Sequence, residues 1–157
     1  MTGPATIYLV RHAKAGSRDR WDGDDVKRPL SKKGRRQADL LAERFAALPP
    51  ARLLSSPYVR CMETLEPTAA KVGGEVEPAD ALAEGSRFED TLDLLAGVPP
   101  NSVLCSHGDV IPSVIAALER RGAEIRTQPD WRKAATWVLE RQPDGTFTAA
   151  SALPPPA

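Results

Sequence analysis

Arg11 and His12 stand side by side after the run Thr6-Ile7-Tyr8-Leu9-Val10, and the only other histidine, His107, follows Ser102-Val103-Leu104-Cys105-Ser106. An imidazole is substantially unprotonated near neutral pH and can serve as a nucleophile. A guanidinium is a planar, permanently charged fork that pairs with phosphate or carboxylate oxygens, and Arg60 adds a second fork after the apolar pair Leu53-Leu54. Converging cations imply an anionic substrate. A phosphoryl group passed to His would split hydrolysis into two easier steps, with Arg and His donors stabilising charge on the equatorial oxygens. Taken singly, each residue also has a structural reading, as a hydrogen-bonded core histidine or an ion-paired surface arginine. What favours chemistry is the recurrence of the pattern at strand ends.

Such groups meet only if the elements that carry them are ordered in one way. In an open α/β sheet, ligands sit beyond the carboxyl ends of the strands, so parallel strands at 6–10, 52–54 and 102–106 would bring His12, Arg60 and His107 to one rim. Between them the apolar period changes to that of helices. Ser31 caps a helix whose stripe is Ala38, Leu41, Ala42, Phe45 and Leu48. Ser55-Ser56-Pro57 opens a second, with Met62, Leu65 and Ala69 inward and Pro67 expected to kink or divide it. Phe88, Leu92 and Leu95 mark a third, and Val110 to Leu118 a fourth. Glu75-Val76-Glu77 reads as an edge strand, and 136–140 with 146–148 as a terminal β-hairpin. The fold class is therefore α/β: a mainly parallel central sheet flanked by helices on both faces, with a C-terminal antiparallel hairpin at the edge.

The 157 residues suit one domain, expected over 1–152, with 153–157 as a disordered tail. Residues 13–30 form a long charged connection leaving directly from Arg11-His12, the setting of an active-site lid. Its aspartates Asp19, Asp22, Asp24 and Asp25 read as solvated counter-charges, and Trp21 either stacks on a base or anchors the loop. Basic and acidic residues number 21 each, so no overall field would hold the chain on a nucleic acid polymer or an anionic membrane. With no apolar run of spanning length and no leader-type start, a cytoplasmic location is expected. Cys61 and Cys105 are two reduced thiols, and no cofactor or metal is expected, because His12, His107 and Cys105 contain no ligand pair at a recognised spacing.

Four segments resemble one family. Arg11-His12-Ala13 is similar to the Arg-His-Gly signature of the histidine phosphatase superfamily, with alanine replacing the usual glycine. Leu30-Ser31-Lys32-Lys33-Gly34-Arg35-Arg36-Gln37-Ala38 resembles its Leu-Thr-x-x-Gly-x-x-Gln-Ala helix start. Ser56-Pro57-Tyr58-Val59-Arg60-Cys61-Met62-Glu63-Thr64 resembles its Ser-x-x-x-Arg-x-x-x-Thr segment, and Ser106-His107-Gly108 its second-histidine motif. The resemblance implies a phosphoglycerate mutase-like fold and a metal-independent phosphatase. In it His12 is the phosphorylated nucleophile, and Arg11, Arg60 and His107 hold the phosphoryl group. Chain length and Arg28-Pro29-Leu30 look most like the compact SixA-type branch, which makes Arg28 a further phosphate ligand. Glu84 is the candidate proton donor, with Asp109 as its rival, and an imidazole or phosphate leaving group would need little acid assistance. The implied substrate is a phosphorylated protein, including protein phosphohistidine, or a small phosphorylated metabolite. The segment after His12 is also reminiscent of modules fused to Nudix hydrolases, which implies a nucleotide di- or triphosphate as the alternative. A non-catalytic phosphate-binding module is the reading from another class, and a mutase is disfavoured because so short a chain has little material to enclose its substrate.

Overall fold

The computed structural model describes residues 3–156. Four helices and seven strands alternate along it. β1 (Ala5–Arg11) is followed by α1 (Lys32–Ala46), β2 (Leu53–Ser55), α2 (Val59–Val72), β3 (Val76–Pro78), α3 (Phe88–Gly97), β4 (Val103–Ser106) and α4 (Val110–Arg120), and the chain closes with β5 (Glu124–Ile125), β6 (Thr136–Arg141) and β7 (Phe147–Leu153). The strands make one sheet in the order β3-β2-β4-β1-β6-β7-β5. β3, β2, β4 and β1 run parallel, β6 and β7 are antiparallel to their neighbours across β1-β6-β7, and β5 pairs parallel with β7. The mixed α/β class is as expected. The hairpin, however, lies against β1, and the edge beyond it is β5, two residues long.

Side chains alternate across a strand, and β1 uses both sides. Ile7 and Leu9 join Leu104, Trp137 and Leu139 under α3 and α4, while Val10 joins Leu53, Val103 and Cys105 under α1 and α2. The two helix layers thus come from the two halves of the chain. Three details depart from the sequence reading. Leu48 falls beyond α1 and is exposed. The buried stripe of α2 is Cys61, Leu65 and Ala69, with Met62 only half-buried, and Pro67 lies inside an unbroken helix. Proline removes a single intrahelical hydrogen bond, and burial of this stripe against α1 offsets that loss. Lastly, Leu153 pairs with Thr136 as the end of β7, and Arg44 donates to the Pro154 carbonyl (3.1 Å), so the segment from Leu153 begins as sheet, not as a disordered tail. Ala157 lies outside the described residues. Among the described residues no helix is long and apolar enough to cross a membrane.

The helix start after the long connection is fixed by contacts that explain its residue types. Ser31 caps α1 by accepting from the Gly34 N–H (3.1 Å), and Gln37 Oε1 accepts from the Lys14 N–H (3.0 Å). A Cβ on Gly34 would lie 1.9 Å from the Lys14 carbonyl oxygen, and both partners are backbone. Gly34→Ala must therefore push α1 away from the segment leaving His12. We expect a loss of about 3 kcal/mol in stability, seen as a lower denaturant midpoint with an unchanged m-value.

Candidate active site

Register places the two histidines together. Arg11 ends β1 opposite Ser106, the end of β4, and the His12 N–H donates to the Ser106 carbonyl (3.0 Å). The rings of His12 and His107 then meet edge to face, with centroids 5.4 Å apart. The backbone after β1 is pinned by a hydroxyl: Thr64 Oγ1 accepts from the Ala13 N–H (2.9 Å) and donates to the Arg60 carbonyl (2.7 Å), tying the first histidine loop to α2. Ala134, buried and with φ at +69°, donates its N–H to the carbonyls of Arg11 (3.1 Å) and His12 (3.2 Å). A left-handed alanine costs roughly 1–2 kcal/mol, and here that strain sits directly behind Arg11 and His12.

His12 is 6% exposed. Its Nδ1 lies 2.8 Å from the Ala13 carbonyl, which can only accept, so the proton is on Nδ1 and Nε2 carries the lone pair. Burial pushes its pKa down to about 3; the Ala13 carbonyl opposes the shift, and His107, Arg60 and Arg11 reinforce it. His12 is therefore a neutral imidazole with Nε2 free to attack. His107 is fixed from the other side, its Nε2 2.8 Å from Ser56 Oγ and 3.5 Å from Cys61 Sγ, with the Tyr58 ring against it. Cys61, not Cys105, is thus the thiol that reaches a histidine.

Arg11, Arg28 and Arg60 line one cavity. Arg60 is 1% exposed and lies over the Tyr58 ring, while Arg11 donates to the Trp131 carbonyl (2.6 Å). Burial lowers the pKa of Arg11, and the neighbouring Asp109 partly restores it. A Cβ at position 108 would sit 2.7 Å from the Arg11 guanidinium carbon, so a larger residue there would displace that side chain. Arg28 is buried and donates through Nη1 to the Gly16 carbonyl (2.6 Å). Arg11 Nε, Arg60 Nε and His107 Nδ1 are buried and have no protein partner. All three belong to residues expected to hold phosphate, whose oxygens present acceptors in several directions.

Asp25 is a site residue that sequence reasoning missed. Its carboxylate accepts from Arg28 Nε (2.9 Å) and Arg60 Nη2 (3.1 Å), and its carbonyl accepts from Arg60 Nη1 (2.9 Å). The hydrogen bond from Arg28, with the charges of both arginines, lowers its pKa although partial burial opposes this. Asp25 is therefore a bracket that aligns two guanidinium groups rather than a solvated counter-charge. Nothing local marks it among four aspartates, beyond the cap that Asp24 gives its short 3-10 turn. Trp21 donates its indole N–H to the Asp24 carbonyl (2.8 Å) and anchors the loop. It is not among the residues lining the cavity.

That cavity, about 660 Å³, is lined by Arg11, His12, Arg28, Arg60, His107 and Glu84, so the structure assembles all the catalytic candidates at one rim. Lys14, Arg18 and Lys133 line it too. Glu84 lies 3.7 Å from both Arg60 and Arg18, whereas Asp109 is engaged by the Gly85 N–H (2.8 Å).

Comparison with known proteins agrees with this geometry. The family model of the histidine phosphatase superfamily (branch 1) matches residues 7–86. An 8-oxo-(d)GTP phosphatase of Mycolicibacterium smegmatis is 38% identical over 96% of the chain, and the chain spans 48% of that protein's length. Among solved structures, the protein histidine phosphatase SixA complexed with tungstate superposes with a TM-score of 0.75 at 21% identity, over 91% of this chain and 92% of that one. A mycobacterial glucosyl-3-phosphoglycerate phosphatase gives 0.69 at 17% identity, over 95% and 97%. With a matching family model over half its length and a relative matched along nearly all of it, the chain belongs to the histidine phosphatase superfamily (branch 1).

Proposed function

We propose that this domain is a phosphatase working through a phosphohistidine on His12, and that its substrate is a phosphoanhydride of the nucleotide type. The observation that carries the first half is the neutral His12 imidazole, with Nε2 free, in a cavity that Arg11, Arg60 and His107 also line. Nε2 attacks phosphorus as the bond to the leaving oxygen breaks, and the leaving group takes a proton from Glu84. Water then attacks the phosphohistidine, Glu84 takes back a proton, and inorganic phosphate departs from a restored imidazole. Through both steps the guanidinium groups hold the equatorial oxygens, supplying positive charge where it is needed.

The 38% identical relative, named for a nucleotide substrate, supports the second half. The SixA likeness, at 21% identity, speaks for the shared fold and leaves protein phosphohistidine as the weaker reading. Rapid-quench intact-mass analysis during turnover of p-nitrophenyl phosphate tests the chemistry. An acid-labile phosphoryl adduct mapping to His12 is expected. An adduct on another residue, or no phosphate release from nucleotides, sugar phosphates or phosphopeptides, would overturn the assignment.

A further inference from the structure

The groups around His12 account for one phosphoryl unit, but positive charge continues past them. A second cavity, about 630 Å³, adjoins the first, and Lys14 and Lys133 line both. Lys33, Arg36 and Arg132 extend the cationic lining along it. Arg132 is neutralised by Asp130 at 2.6 Å. Lys14, Lys33, Arg36 and Lys133 have no acidic side chain within ion-pairing distance among the described residues.

The placement of these cations runs against the stability of the fold. α1 begins Lys32-Lys33-Gly34-Arg35-Arg36 with no acidic residue in its first turn. The start of a helix carries partial positive charge and favours carboxylates, so cations there are unfavourable. Lys133 shows the same crowding: burial lowers its pKa, and the charges of Arg11, Arg28, Lys14 and Arg18 lower it further. In a chain with 21 acidic and 21 basic residues, this local excess is not required for overall balance.

We propose that the second cavity is a subsite for the further phosphates of an oligophosphate whose terminal phosphoryl group sits on His12. The inference rests on the phosphatase reading above and extends it to the part of the substrate that does not react. An oligophosphate repeats its negative charge at every link, as the shared lysines require of a ligand passing from one cavity to the next. A phosphopeptide offers one phosphate followed by neutral amides, and fits that continuity less well.

The test uses K33A/R36A in the full chain, with p-nitrophenyl phosphate and inorganic tripolyphosphate as substrates. For tripolyphosphate, kcat/KM should fall about 30-fold, mostly through KM, while for the monoester it changes less than about threefold. The slope of log kcat/KM against log salt for tripolyphosphate should also flatten. Thermal stability should not fall, since two cations leave the positive end of α1. Equal losses on both substrates, no loss on tripolyphosphate, or a loss confined to a phosphopeptide with acidic flanks would overturn the subsite. Calorimetric titration of tripolyphosphate into H12A, with and without K33A/R36A, reads the subsite without turnover. A difference of about 30-fold in affinity is expected there even if the phosphatase reading fails, and equal affinities would overturn the subsite alone.

Discussion

Replacing His12 by alanine should lower kcat on every accepted phosphate ester by roughly 10⁴- to 10⁶-fold, a loss of the size seen when a covalent nucleophile is removed. The variant should still bind inorganic phosphate within a fewfold of the parent, because Arg11, Arg60 and His107 remain in place. That separation is the informative part. Arg60 is held by Asp25 and Tyr58, and His107 by Ser56, so none of these supports depends on the His12 ring. Steady-state kinetics beside phosphate titration make the check. Residual turnover within about 100-fold of the parent would point to direct attack by water and sink the covalent route.

The second large effect concerns stability against pH. His12 is held neutral in the fold, with its pKa near 3, whereas an unfolded chain would protonate it near 6.5. Between those values the unfolded state binds the extra proton, so stability falls as pH falls, by up to about 1.4 kcal/mol per pH unit. Above pH 6.5 neither state carries the proton and the contribution is complete. Denaturant unfolding of the parent and of His12→Gln, at pH 7.5 and pH 5, isolates it. The parent should lose roughly 2 kcal/mol more than the variant over that interval, and parallel losses would show that burial does not hold His12 neutral. The same shift keeps His12 unprotonated throughout neutral and mildly acidic conditions, so, with His12 as the proposed nucleophile, the acid limb of the ligand-free pH profile should not have its midpoint near 6.5.

Much of this was legible because periodicity and strand-end position are local properties. The apolar strand run 6–10, the stripe Ala38-Leu41-Ala42-Phe45, and the Arg and His at the ends of β1 and β4 could be read from a few neighbours each. Gly34, Gln37 and Thr64 were visible as parts of motifs, but the reason for them was not: each touches the segment leaving His12 from a distant point in the chain. Asp25 stayed hidden because its partner Arg60 is brought to it only by the packing of α2. Lys133 was missed because it precedes β6 in an irregular stretch, where no pattern predicts which cavity it borders. β5 has two residues and no period of its own, and it forms only because β7 offers an edge.

The position of β1 in the sheet has a consequence for biosynthesis. β1 lies between β4 and β6, and the carbonyls of Arg11 and His12 are both met by the amide of Ala134. His12 is translated before the strands on either side of it and the amide behind it, all of which lie some ninety residues or more further along the sequence. Contacts so far apart along the chain close late and slowly. A nascent chain that has emerged only as far as α3 therefore carries His12 as an ordinary solvated imidazole, without His107 beside it or the burial that holds it neutral. The proposed site is complete only when the hairpin of β6 and β7 docks on β1, so the ribosome exposes His12 long before its partners arrive.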